Sequence, residues 1–312
     1  MRDTMEAVKQ AFMMFSEGKI EVPLRSAITA KNGGTFLSMP AFSEELGVHC
    51  IKYCNNFSQN IEKGLPTLPT QLMMSRVEDG IIFALLDGIC VTQMRTGASS
   101  GVAFEALAKQ DCKKGALIGT GGMAACQLEA MLCARKLEEV WIYDLNAERC
   151  QVFVERMQAE LAAYGVRLVA AKSSDEAVEE ADLLITMTPS KTPVFDGNKV
   201  KPGATVSCVG SFTPEMQEMS PAVLMRASKL YFDSKEAVLS ESGDILTPLK
   251  EGLITEALFA GDIGDVLLGK LGGRDNDTEI IVYETVGIGA QDIVTAKAIY
   301  DRAAQVGVGT DW

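Results

Sequence analysis

The chain has 312 residues, with 29 Lys+Arg against 42 Asp+Glu, a single His and eight Cys. At about 150 residues per domain this length predicts two domains, each large enough for its own core. A formal charge of −13 excludes the clustered cations of a nucleic-acid binder, and no apolar run approaches the roughly 20 residues of a membrane helix, so neither partner is expected.

Taken in chain order, Met5, Val8, Phe12 and Phe15 share one face of an opening helix, with Asp3 as its expected cap. The start MRDTMEAVKQ lacks the basic-then-apolar pattern of a secretory signal, which predicts a soluble, cytoplasmic protein. Short apolar runs at 35–39, 48–54 and 71–75 read as strands, and RVEDG at 76–80 turns the third into 81–86 as an antiparallel hairpin. A helix rich in Gly, Ala and Ser starts near Thr92; side chains so small let it approach a backbone or a ligand. From 115 the order becomes regular. Strands at 115–119, 139–144, 166–171, 183–188, 205–210 and 229–233 alternate with helices at 123–136, at 147–165 and from Ser174. That alternation predicts a parallel, doubly wound sheet. One amphipathic helix remains, at 290–305.

The first strand of this series runs into Gly119-Thr120-Gly121-Gly122-Met123-Ala124, which opens a helix. Gly119 permits the tight turn, Gly121 lets a pyrophosphate approach the backbone, and Ala124 keeps helix and strand close. The next strand ends in Asp144, an acid placed to bind adenosine ribose hydroxyls. The pattern predicts dinucleotide binding in a Rossmann domain. Asp144 would repel a 2′-phosphate, and Leu145 and Asn146 supply no cation, so NAD(H) is expected over NADP(H). Arg149 is the rival cation, read more simply as a solvated helix residue. The cysteines form no Cys-x-x-Cys pair and sit mostly in apolar segments, which predicts free thiols and no metal site. The lone His49 reads as a strand residue, leaving acid–base work to Lys, Asp, Glu or water.

Several blocks together are similar to the ornithine cyclodeaminase/mu-crystallin family. They include Met39-Pro40-Ala41, Lys52-Tyr53 with Asn55 and Asn56, ALLDG at 84–88, VTQMRTGASS at 91–100, the glycine turn, Ser242-Gly243-Asp244, Gly272-Gly273-Arg274 and Gln291-Asp292. The resemblance implies an α/β fold: an α+β substrate-binding and dimerisation domain (1–110), a Rossmann domain (111–284) and a C-terminal helix segment (285–312) returning to the first. It also implies a homodimer formed through the N-terminal sheets and an active site in the cleft. Its activities are amino-acid-level redox reactions: ketimine or cyclic-imine reduction, alanine dehydrogenation and ornithine cyclodeamination, with a non-catalytic binder as the remaining alternative.

Three cations, Arg25, Lys52 and Arg95, match substrate positions of that family. The chemistry agrees, because an imino or amino acid must be held by its carboxylate and Arg does this bidentately. Lys52 is also a candidate proton donor, and Asp292 a candidate third member of the catalytic set. Gly122 and Met123 in the turn, with Thr96, Thr188 and Val209, complete the candidate cofactor contacts. The cyclodeaminases carry an acid where this chain has Phe212, and another just before their Met-Pro pair, where Leu37 and Ser38 stand here. Loss of both leaves the ornithine side-chain amine unpartnered, so Phe212 is expected to face a compact or apolar substrate. Most of the acidic excess falls in 111–284, with 17 Lys+Arg against 28 Asp+Glu, and only 12 against 14 lie outside it. A local cationic site is therefore compatible with the total.

Overall fold

The structure is a computed structural model that describes residues 1–310. It divides into two compact units, residues 1–5 with 96–286, and residues 6–95 with those from 287 onward. The division falls at 95/96, inside a continuous helix, and not at the expected 110.

Helix α1 (Arg2–Ser16) opens the chain. Because it starts at Arg2, Asp3 lies inside the first turn and is not the cap. The second unit is an antiparallel meander of β1 (Ser26–Thr29), β2 (Thr35–Ser43), β3 (Val48–Cys54), β4 (Thr70–Arg76) and β5 (Ile82–Asp87), in that order across the sheet. The expected hairpin is β4–β5, with Met73 opposite Leu85. Alternation sorts the residues by face. Met39, Lys52 and Leu72 form one buried cross-strand row, and Ala41, Cys50, Met74 and Ala84 the next.

Helix α2 (Gly88–Leu107) begins four residues before the expected Thr92. Asp87 explains the shift: its carboxylate accepts the Ile89 amide at 2.9 Å, so Asp87 ends the strand and caps the helix at once. The small residues then serve packing of helix on helix. A Cβ on Gly97 would stand 2.5 Å from the Cys126 carbonyl oxygen.

The parallel unit contains β6 (Lys114–Ile118), α3 (Ala124–Ala134), β7 (Glu139–Tyr143), α4 (Ala147–Glu160), β8 (Arg167–Ala170), α5 (Ser174–Val178), β9 (Leu183–Thr186) and β10 (Thr205–Cys208). It continues with α6 (Pro221–Arg226), β11 (Lys229–Phe232), α7 (Lys235–Glu241), α8 (Gly243–Lys250), β12 (Phe259–Asp262), α9 (Ile263–Leu267) and β13 (Ile281–Glu284). The sheet order is β12-β11-β13-β10-β9-β6-β7-β8, all parallel. Strand order reverses at β6, which puts the crevice of a doubly wound sheet at the carboxyl ends of β6 and β9. Leu117, Leu128, Met131, Val140, Ile142 and Ile185 are fully buried between the sheet and its helices. The chain ends in α10 (Gly289–Val306), which packs against β2 and β3. All eight cysteines are free, and no helix of the described residues is long and apolar enough to cross a membrane.

Candidate active site

In the antiparallel unit, β3 turns Lys52 to the face that α10 covers, and only 1% of the residue is exposed. A lysine buried so fully requires a partner. It has Asp292, in the first turn of α10, whose Oδ2 accepts Lys52 Nζ at 2.6 Å. Arg95 approaches the same carboxylate from α2, with Nε 3.1 Å from Oδ1; this is an ion pair without hydrogen-bond alignment. Arg95 Nη1 donates to Gln291 Oε1 at 3.1 Å, and the same oxygen accepts the Ile288 amide at 3.0 Å. Arg95 is thereby held through Nη1 and beside Nε by the start of α10.

Gly287 makes this arrangement possible. Its φ is +78°, and a Cβ there would fall inside contact distance of the Arg95 guanidinium. Its carbonyl oxygen accepts Arg25 Nη2 at 2.9 Å, which ties the half-buried Arg25 to the same segment. Two buried cations thus share one buried carboxylate, leaving an excess positive charge that a substrate anion would balance. Burial, then the Arg95 charge, push the Lys52 amine down to about 8, against the pull of Asp292. Cys50, one pleat away, is pushed up to about 12, mainly by burial, and stays an unreactive thiol.

In the parallel unit, the glycine turn joins β6 to α3. Gly119 has φ +104°, and a Cβ on it would stand 2.7 Å from the Met187 carbonyl oxygen. A Cβ on Gly121 would meet nothing within 4 Å, so open space lies beside the backbone at that glycine. No side chain caps α3, whose first turn therefore keeps N–H donors for an anion. Asp144 takes the Thr120 amide at 2.9 Å and its hydroxyl at 2.7 Å, which fastens the turn to the end of β7. Its other donors are the Asn146 amide at 2.9 Å and Arg149, through Nη2 at 2.5 Å and Nε at 3.2 Å. Burial pushes the Asp144 carboxyl up, but Arg149, Asn146 and Thr120 together hold it below the usual range. A dinucleotide fits this turn by its open glycine and its uncapped helix.

Lys52, Arg95 and Asp292 come together in contact, and Arg25 joins them through Gly287. Gly119, Gly121, Gly122, Met123 and Ala124 form the turn and helix start, and Thr188 and Val209 follow β9 and β10. Thr96 lies on α2 beside α3, its carbonyl accepting Gln127 Nε2 at 3.1 Å. Phe212 is half-buried beyond β10. One reading is corrected: Arg149 is not simply solvated but ion-pairs with Asp144. Gln291 and Gly287 stood out in the sequence only as positions matching the family, with no role assigned, since one is a neutral amide and the other lacks a side chain.

Residues 1–307 match the sequence model of the ornithine cyclodeaminase/mu-crystallin family. The chain is 36% identical over 310 residues to a Delta(1)-pyrroline-2-carboxylate reductase of Bacillus cereus, covering 99% of this chain and 94% of that protein. It is similar to the structure of the Thermococcus litoralis Delta(1)-pyrroline-2-carboxylate reductase in complex with NADH and L-proline. That likeness has a TM-score of 0.95 at 34% identity, covering 100% of this chain and 95% of that one. An archaeal alanine dehydrogenase dimer with bound NAD gives a TM-score of 0.91 at 29% identity, over 99% and 93% of the two chains.

Proposed function

The chain belongs to the ornithine cyclodeaminase/mu-crystallin family, and from that premise we propose that it is an NAD(P)H-dependent oxidoreductase acting on the C=N/CH–N bond of a small imino or amino acid. The substrate class favoured is a cyclic ketimine such as pyrroline-2-carboxylate, with an alanine dehydrogenase-like reaction as the close relative. The observation that carries this is the buried Lys52–Asp292–Arg95 cluster, whose excess positive charge matches one substrate carboxylate.

When bound, the dinucleotide supplies the hydride that the α-carbon of the imine accepts. The protein's own residues do the remaining work. Arg95, engaged by Gln291 at Nη1 and by Asp292 at Nε, would present Nη2 to a carboxylate. Arg25 adds a second cation to that anion site. Lys52, with its amine near 8, gives a proton to the substrate nitrogen as hydride arrives, so imine, hydride and proton together make the amine. Asp292 orients Lys52 for that transfer.

Within the cofactor class NAD(H) is the preferred form. Asp144, at the end of β7, keeps a negative charge that would repel a 2′-phosphate, and the charge of Arg149 is paired with it. The assembly we propose is a homodimer built on the antiparallel sheet.

A spectrophotometric panel tests the reading: cyclic imines, 2-oxo acids with ammonia or methylamine, and amino acids, each with NADH and NADPH. Consumption of NADH by a cyclic imino acid is expected. Arg95→Ala is expected to abolish turnover while NADH still binds; survival of activity in that variant removes the carboxylate assignment. Formation of proline and ammonia from ornithine with catalytic NAD would instead favour the cyclodeaminase reading. Dinucleotide binding without any turnover across the panel would favour a binder.

A further inference from the structure

The parallel unit buries three carboxylates that the reaction does not use. Glu218, Asp244 and Glu284 have no exposed surface, and no ion pair reaches them among the described residues. Glu218 bridges the ends of two neighbouring parallel strands. Its Oε2 accepts the Thr188 amide at 2.5 Å and the Thr188 hydroxyl at 2.9 Å, and its Oε1 accepts the Gly210 amide at 2.7 Å. It therefore ties the segment after β9 to the segment after β10, which carry the candidate cofactor residues Thr188 and Val209. Gly210 has no room for a Cβ, because Thr188 and Glu218 crowd it.

Asp244 holds Glu218 in turn. Its Oδ1 accepts the Glu218 amide at 2.7 Å and the Met219 amide at 2.8 Å. Glu284 Oε1 accepts the Ser242 hydroxyl at 2.7 Å. Two oxygens remain, Asp244 Oδ2 and Glu284 Oε2, both buried and partnerless. One carboxylate oxygen of each residue lies within 4.8 Å of the other and of Cys208 Sγ. The titratable groups facing the pair are Cys208 from β10, Glu218 from the segment after it and Asp233 after β11, none of them a cation.

Two ionised carboxylates this close, with no cationic side chain facing them among the described residues, repel strongly. A metal ion would find only three donors here, one of them a thiol pushed far up by its burial and by the surrounding acids. One proton on the pair removes one of the two charges and supplies an O–H donor where both orphan oxygens lack one. We infer that Glu218 is a positioning residue for the cofactor-facing segments, held in place by an Asp244–Glu284 pair that shares one proton. This rests on the dinucleotide reading of the glycine turn and extends it to the strand ends beside it.

The test is made on the full-length protein with NADH. Glu218→Gln turns one acceptor into a donor facing an N–H, and is expected to raise the NADH dissociation constant about tenfold or more while the KM for the imine stays within twofold. Glu218→Asp, which keeps the charge but shortens its reach, is expected to show the same split, so the result does not hang on one variant's folding. Asp244→Asn keeps Oδ1 and offers Glu284 a permanent N–H in place of the shared proton. Burial raises both carboxyls, helped by the charge of Glu218 at Asp244 and of Asp244 at Glu284, so the folded wild type keeps a proton that the unfolded chain releases, and its stability falls as pH rises above the ordinary carboxyl range. Asp244→Asn is expected to lose that slope in thermal melts between mildly acidic and alkaline pH. Absence of NADH binding by the wild type would mean that the cofactor reading itself fails. NADH binding unchanged in both Glu218 variants overturns the positioning role alone. A wild-type slope in Asp244→Asn, or a stoichiometric metal ion in the purified protein, overturns the shared proton.

Discussion

Lys52 illustrates how much one buried position does. On the outer face of β3 it would be an ordinary surface cation; one pleat inward it loses water, meets Arg95 and needs Asp292. Its amine near 8 sets the pH dependence. As proton donor it must be charged, so the rate of imine reduction is expected to hold below pH about 8 and fall above it. The reverse oxidation, which needs the neutral amine, is expected to rise through the same window. Kcat profiles in both directions check this, and a flat reductive profile across pH 8 would remove Lys52 as donor. Linkage has a definite sign as well. Between about 8 and the ordinary 10.5 the unfolded chain still binds the proton that the folded chain has released, so this group adds stability as pH rises there. Lys52→Met is expected to lower kcat at least 10²-fold, and Lys52→Arg not to restore it, since a guanidinium does not release its proton. The facing of Lys52 was legible from its alternation with Ile51 and Tyr53. The Asp144–Arg149 pair was not, because a helix residue five places on reads as solvated until the fold brings it back to the strand end.

Elements carry the geometry that these residues require. Helix α2 carries Arg95 in its first half, its start is capped by Asp87, and from Gly97 onward it lies close to α3. The contact point is Gly97, and a side chain there collides with the Cys126 backbone, which cannot rotate away. Gly97→Val is expected to cost about 1–3 kcal/mol of stability by overpacking, read as a lower urea midpoint at unchanged slope. Wild-type stability in that variant would show that α2 and α3 sit farther apart. Gly287→Ala belongs to the same scale, since it sets the entry of α10. The positive φ and the guanidinium alongside combine, and the expected result is a loss of about 1–3 kcal/mol with an imine KM raised at least tenfold. Unchanged KM would mean that Arg95 does not hold substrate from this position. The βα alternation and the glycine turn were legible because their periods and turn residues are local. Strand β13 was not. IVYE is a four-residue segment whose insertion between β10 and β11 depends on pairing with residues some 50 to 75 positions away. The start of α2 was displaced for a related reason, as Asp87-Gly88 serves a strand end and a helix cap together.

For the whole molecule, the outer face of the antiparallel sheet is the feature that one copy leaves unsatisfied. Pro40, Ile51, Met73 and Leu85 form one cross-strand row on it, flanked by Tyr53 and Phe42, and Leu85 is 57% exposed. The neighbouring rows are Ser38, Tyr53, Gln71 and Asp87, and Phe42, His49 and Ser75, so Asp87 is the single carboxylate among them. An apolar, nearly uncharged sheet face on a chain of formal charge −13 suits a self-complementary contact, because it is where two such chains repel least. The dimer proposed here therefore has a characteristic salt response. Screening weakens the repulsion between two acidic chains more than it touches an apolar interface, so added salt is expected to tighten association. Leu85→Glu would bury a charge without a partner in that contact and is expected to give a particle of 33.5 kDa in place of twice that mass by light scattering. Since the proposed substrate cluster is built within one chain by β3, α2 and α10, the monomeric variant is expected to retain NADH binding and its melting profile to shift down with dilution no longer mattering. A wild type that runs as a 33.5 kDa monomer at every concentration, or a Leu85→Glu protein that still dimerises, would assign that sheet face to something other than a second copy.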